Sequence, residues 1–280
     1  MERAREIVHR AHAINPSPSL LRIEAELRSG STSARQLARL IDGSPALAAR
    51  VLRMANSGFY APQEPVVSLA RAVAMLGDTV LRQLVLTSLI ASRRAGSRSA
   101  RQAFAVARLM ADAVRAAVVS RELAQMARAH DADTAFAAGL LHDLGHVYLI
   151  DEVGEPYSQY LVSGGVGGDA ALVTEFELAG TTHQDVGAVF AYEWNLPDVV
   201  AHVLWDHHRS QPGTLSSVVH AADLIVRDLS HPTTVEPDAA EAEVTAALAA
   251  NGIDRAKWDG RGEQVKAQIA ELLTLFETLG

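Results

Sequence analysis

Apolar residues in this chain recur every three or four positions and almost nowhere alternate, and that periodicity confines the fold to helices packed on helices. Up to about residue 130, Ala, Leu and Arg dominate, all strong helix formers. Ile7, Ala11 and Ile14 share one helical face, and Asn15-Pro16-Ser17-Pro18 ends that helix. Ser19 can cap a second helix with a stripe of Leu20, Ile23 and Leu27, closed by Ser29-Gly30. Ser33 to Ile41 reads as a capped short helix, Asp42-Gly43-Ser44-Pro45 as a turn, and Ala46 to Met54 as another helix. Two such helices could form a DNA-reading helix-turn-helix with Arg50 and Arg53 aimed at phosphates. An antiparallel hairpin inside a helical domain is the reading we favour, because such hairpins are common packing units.

The pattern continues through a Gly- and Pro-punctuated loop, with Phe59 and Tyr60 as anchors. Ser68 can cap a helix running to Gly77. Asp78 can cap another, in which Val80, Leu81, Leu84, Val85 and Leu89 are nearly continuous and predict a central position. The basic stretch from Ser92 to Ser99 reads as a linker near a subdomain boundary. A long amphipathic helix follows from Ala100 to about Met126, and the polar interval around Asp131 can cap a helix that carries His142 and Asp143. The glycines from Gly164 to Gly168 lack the preceding strand and following Lys-Ser/Thr of a phosphate-binding loop, so they read as a connection. Further helices are predicted after it, from His183, from Pro197 to His208 and from Leu215, then a Pro- and acid-rich break over 231–238 and two terminal helices. No strand and no internal repeat is evident. The chain therefore reads as all-α: a multi-helix bundle with an N-terminal helical subdomain over 1–98, a second helical subdomain over 99–230, and C-terminal helices over 231–280 packing on the core.

Composition narrows the function. The 280 residues include no cysteine, which excludes disulfides and thiolate metal sites. The N-terminus lacks the apolar segment of a signal peptide, and no apolar run reaches bilayer length, so the expected location is the cytoplasm, with no membrane partner. The net charge of −8 hides a division: the first 128 residues carry 19 arginines against 9 acids, and the rest 6 basic residues against 24 acids. Two such regions can attract each other, bind different partners, or simply present solvated faces.

The candidate chemistry lies in the second half. His142-Asp143, His183, His207-His208 and Asp223 fall on four separate predicted helices, the way bundles assemble metal sites from facing helices. Nitrogen and oxygen donors without sulfur suit one divalent Fe, Mn, Zn, Ni or Mg ion rather than Cu(I). Neighbours on a helix diverge by about 100°, so each adjacent pair can serve two ions, or one ion and a supporting partner. The competing reading is a metal-free polar core in which His142 and Asp143 satisfy each other and nearby helix ends. His146, His202 and His220 read as packing or surface residues.

The order Leu140-Leu141-His142-Asp143-Leu144-Gly145, Thr182-His183-Gln184-Asp185-Val186-Gly187-Ala188, Glu193-Trp194-Asn195-Leu196-Pro197, His207-His208 and Val219-His220-Ala221-Ala222-Asp223 resembles the HDOD domain, an atypical branch of the HD metal-dependent phosphohydrolase superfamily common in bacterial signalling proteins. Pro18-Ser19-Leu20-Leu21, Leu37 to Ile41, Leu47 to Gly58 and Ser68 to Gly77 extend the resemblance to the first half, over about residues 15 to 230. It implies an HD-like helical bundle and a regulatory protein that receives or transmits a signal through protein contacts, with a nucleotide as a further candidate ligand. It also counts against nucleic acid as the partner. Active HD enzymes take a first histidine from the helix before the doublet. Here that helix reads Val106-Ala107-Arg108-Leu109-Met110-Ala111-Asp112-Ala113, with Arg108 near the missing position. Such a cation would oppose a metal or replace it by pairing with Asp143 or Asp223. By resemblance to the two-metal HD-GYP phosphodiesterases, Asp143, His183, His207 and His208 correspond to a second metal position. The Gly-Tyr-Pro signature and the lysine of those enzymes are absent from residues 144–182. The resemblance thus implies a regulatory module without catalysis, with a divergent metal-dependent phosphohydrolase as the alternative, while the charge of the basic first half keeps nucleic-acid binding as a third reading.

Overall fold

The computed structural model describes residues 1–12, 22–23, 25–26, 33–42, 45–92, 98–165, 168–194, 196–209, 211–230 and 237–277. The expected breaks at Asn15 to Pro18, Ser29-Gly30, Gly43-Ser44 and 231–236, the cap at Ser19 and most of the 92–99 linker lie outside them. Within the described residues there is no strand, and the helices are α1 (Glu2–His12), α2 (Ala34–Asp42), α3 (Pro45–Asn56), α4 (Leu69–Ser92), α5 (Ala100–Ala127), α6 (Ala132–Leu141), α7 (Leu144–Val153), α8 (Glu155–Val162), α9 (Gly168–Ala179), α10 (His183–Glu193), α11 (Asp198–Asp206), α12 (Leu215–Ser230), α13 (Pro237–Ala250), α14 (Arg255–Asp259) and α15 (Gly262–Glu277). None is long and apolar enough to cross a membrane. The C-terminal region holds three helices where two were expected, because Asp254 caps a five-residue helix by accepting from the Lys257 amide.

Contacts group the chain into two units. One comprises residues 15–93 with 263–280. There α2 and α3 pack on α4, burying Leu37, Ile41, Leu47, Val51 and Met54 against Val73, Leu76, Leu81 and Leu84. Gly77 sits at φ 74°, ψ 166°, a non-helical conformation open to glycine, and it divides α4 into the two helical segments expected either side of it. Asn56 ties the following loop down by exchanging hydrogen bonds with both the N–H and the C=O of Val66. Phe59 is buried, as expected of an anchor.

The other unit, residues 1–14 with 94–262, carries the His/Asp cluster. Its spine is α5, started by a reciprocal capping box between Ser99 and Gln102, worth about 1 kcal/mol. Small side chains at Ala113, Ala116 and Ala117 let α6 lie closely along α5, and α12 packs beside it. Ion pairs join the basic early residues to the acidic later ones: Arg3 and Arg10 with Glu152, Arg98 with Asp151, Arg101 with Glu155, and Arg121 with Asp133. Part of the charge division is therefore spent inside this unit. The Arg98–Asp151 pair is bidentate and nearly enclosed, at 3.0 and 3.1 Å.

Candidate metal centre

The His142-Asp143 doublet does not lie inside a helix. His142 is the last cap of α6 and Asp143, at φ −99°, ψ 11°, begins α7. Apolar residues are buried on both sides, from Ala135 to Leu141 and from Leu144 to Ile150, so the hydrophobic pattern runs on through a bend it does not reveal. The bend turns both side chains of the doublet toward α10, α11 and α12.

Hydrogen bonds to fixed acceptors set the imidazole tautomers. His142 Nδ1 lies 2.8 Å from the Gly139 carbonyl and His207 Nδ1 3.0 Å from the Val203 carbonyl. A carbonyl only accepts, so each Nδ1 carries the proton and each Nε2 faces inward. His183 opens α10, where Thr182 caps the helix through the Asp185 amide. Its Nδ1 lies 2.8–2.9 Å from the Glu175 carboxylate, which leaves its Nε2 facing the Nε2 of His207 at 3.3 Å. Two bare imidazole lone pairs at that distance repel, and only a proton on one ring or a cation held by both relieves them.

Asp143 completes the arrangement. Its Oδ1 is 3.4 Å from His207 Nε2 and 3.6 Å from His183 Nε2, and His208 packs its ring 4.1 Å from that of His207. One donor atom from each of Asp143, His183, His207 and His208 falls within 4.8 Å of the others. A second group, His142, Asp143 and Asp223, shares Asp143 with the first. His142 Nε2 stands 3.3 Å from Asp143 and 3.8 Å from Asp223. All six candidate residues are thus brought together, but in two overlapping groups rather than one. Among the described residues His208 Nε2 is buried without a hydrogen-bond partner, and Asp143 Oδ1 faces the imidazoles of His146, His183 and His207. One carboxylate with three imidazoles fits a divalent transition metal.

Protonation divides the donors. Burial, reinforced by His207 and His183, pushes the His208 imidazole down to about 2, and burial also lowers His207. Burial would raise Asp143, but the neighbouring His142 outweighs it and holds the carboxyl well below its usual range. Asp223 is lowered likewise, with His142 overcoming burial. An ionised carboxylate and neutral imidazoles are the forms that bind metal. Burial opposes a charge on His183 and His142 too, yet Glu175 raises the first, and Asp143 with Asp223 raises the second well above its usual value.

Two contributors were not read from the sequence. Glu175 on α9 is fully buried and holds His183. It lies in phase with the buried Ala171, Leu172 and Ala179, and that phase was the available signal, masked by its exposed neighbour Glu177. His146, expected in packing or on the surface, is buried and stacks on His183 with ring centroids 4.1 Å apart while bonding the Tyr157 hydroxyl. His202 is exposed, and His220 is partly buried. Arg108 directs its guanidinium to the Val162 carbonyl at 3.4 Å, near Asp112 on its own helix, while the ion pairs of Asp143 run to histidines.

Several solved structures share this fold. An HDOD domain protein of Geobacter sulfurreducens is 22% identical, with 97% of each chain covered and a TM-score of 0.64. Two proteins of Shewanella amazonensis, provisionally named a phosphohydrolase and a metal-dependent phosphohydrolase, are 20% and 14% identical, each at a TM-score of 0.68. The first match covers 98% of both chains, and the second covers 99% of this chain and all of the other. None of the curated proteins compared with the chain matches it. The HDOD domain model matches residues 15–210, well over half the chain, and the chain therefore belongs to the HDOD domain family.

Proposed function

We propose that this protein is a cytoplasmic regulatory module that transmits a signal through protein contacts, with one divalent ion held by Asp143, His183, His207 and His208 as a structural centre. The observation that carries the reading is the convergence of those four donors within 4.8 Å, with the outer nitrogens of His183 and His207 already engaged. The ion would join the starts of α7 and α10 to the end of α11. His183 and His207 have no solvent exposure and Asp143 and His208 are partly buried, and four protein donors suit a structural site in which the protein supplies every ligand. The helix that supplies the first histidine in active relatives of the superfamily offers Arg108 instead. Val173 and Phe176, about 60% exposed on α9, provide apolar surface for a partner on the helix whose opposite face carries Glu175.

The test is elemental analysis of protein purified without chelator, alongside assays of cyclic dinucleotides and phosphate monoesters with Mn, Fe or Mg. One ion per chain that is lost in Asp143→Ala and His183→Ala, without turnover, supports the reading. Metal far below one per chain, unchanged in those variants, ends it. A second reading, a divergent phosphohydrolase, draws support from Asp143 being shared by both donor groups, as a carboxylate between two ions would be. A metal there would supply a Lewis acid and an activated water. Turnover abolished by Asp143→Ala would establish that reading.

A further inference from the structure

We infer that Glu175 is a positioning residue for the ion, selecting which of two overlapping donor sets takes it. The inference rests on the proposed ion site and adds a residue outside the expected ligand set. Glu175 projects from the buried face of α9 and has no solvent exposure. Its Oε2 accepts the His183 backbone N–H at 2.8 Å, and both oxygens lie 2.8–2.9 Å from the ring Nδ1. The carboxylate therefore grips His183 at two points, fixing both the first residue of α10 and the rotation of its ring.

His183 is contested. Its side chain belongs to the set with Asp143, His207 and His208, and also to a fully buried set with His146 and Glu175. One imidazole presents Nε2 to the first set and Nδ1 to the second. Because Nδ1 is committed to the carboxylate, the second set is a hydrogen-bonded pair and Nε2 is left for the ion. His146 closes the far side: it stacks on His183, bonds Tyr157 and stands 3.8 Å from Glu175, so the carboxylate has little room to swing away. A carboxylate behind a histidine also makes that ring a stronger donor, and removing such a support lowers metal affinity by about 10–100-fold.

The experiment measures zinc and cobalt(II) affinity of the full chain by chelator competition, in wild type, Glu175→Gln and Glu175→Ala, with melting of the metal-free proteins in parallel. The expected result is an affinity loss of about 10–100-fold in Glu175→Ala and a smaller loss in Glu175→Gln, which keeps one acceptor. The metal-free Glu175→Gln protein should melt near wild type. In zinc-loaded wild type, long-range proton–nitrogen correlation spectra should show His183 protonated at Nδ1 and coordinated through Nε2. That measurement needs no variant and decides the matter even where a variant fails to fold. Coordination through Nδ1, or affinities in both variants within about threefold of wild type, well short of the usual support effect, overturns the role of Glu175. Wild type that binds neither zinc nor cobalt overturns the ion site itself, a distinct failure.

Discussion

Replacing Gly145 with alanine should damage the candidate centre without touching a single donor atom. Gly145 follows the doublet by two residues, on the first turn of α7, where that helix meets the start of α10. A Cβ built there would lie 2.0 Å from the His183 carbonyl oxygen, 2.7 Å from its carbon and 2.8 Å from its Cα. Carbon atoms rest at about 3.5–4.0 Å, so α7 and α10 must part by roughly 1 Å or more. Backbone cannot rotate aside as a side chain can. The cost should therefore reach the upper end of overpacking, about 3 kcal/mol. For a chain of this size that corresponds to roughly 6–12 °C in melting temperature. The same displacement carries His183 away from Asp143, so ion affinity should fall with stability. Gly260→Ala is the control: its nearest atoms are 3.5 and 3.6 Å away and φ is −63°, so the change should stay within about 0.5 kcal/mol. Circular dichroism melts with and without zinc measure both effects. A Gly145→Ala protein melting within about 1 °C of wild type, less than 1 kcal/mol produces, with unchanged zinc affinity, would refute the close-approach argument.

Chelation should lower the melting temperature of wild type, since an ion at a hundred times its Kd stabilises by about 2.7 kcal/mol, whereas Asp143→Ala should melt alike with and without chelator. Arg98→Ala should cost about 1.5–3 kcal/mol by removing the two charge-assisted hydrogen bonds to the buried Asp151, and Arg98→Lys should recover less than half because an ammonium cannot make the paired bonds; denaturant titration that finds both near wild type would contradict this. Asp131→Ala should cost about 1 kcal/mol at neutral pH by removing the α6 cap. Hydrogen bonds from Thr134 hold the Asp131 carboxyl below its ordinary value, so this stability is present above the unfolded pKa and fades as pH falls through the folded one. Asp131→Asn should retain the cap and lose that acid dependence, which melts over an acidic pH series will show.

Local rules carried the helical architecture a long way. The helices expected from Ala100, after Asp131 and from His183 begin as read, and the structure adds the caps Ser99 with Gln102 and Thr182 to the expected one at Asp131. Gly77 marked its kink because a positive φ is a property of one residue. The bend at His142-Asp143 was not legible, since residues buried on every side present the same apolar pattern whether the helix runs straight or turns. Nor was the company of the first helix, which joins residues 94–262 through Arg3 and Arg10 on Glu152, far along the chain.

The candidate centre divides the same way. Residue type and order alone brought forward Asp143, His183, His207, His208, His142 and Asp223, because few side chains bind metal and they fall on separate helices. Only the tertiary structure decided that they form two groups sharing Asp143, and that His183 and His207 face each other through their Nε2 atoms. Glu175 shows why. An acid on a helix is ordinarily solvated, and what turns this one into the support of His183 is the packing of α9 against the start of α10. Sequence fixes which atoms a chain can offer, and the burial that forces them to find one another belongs to the fold.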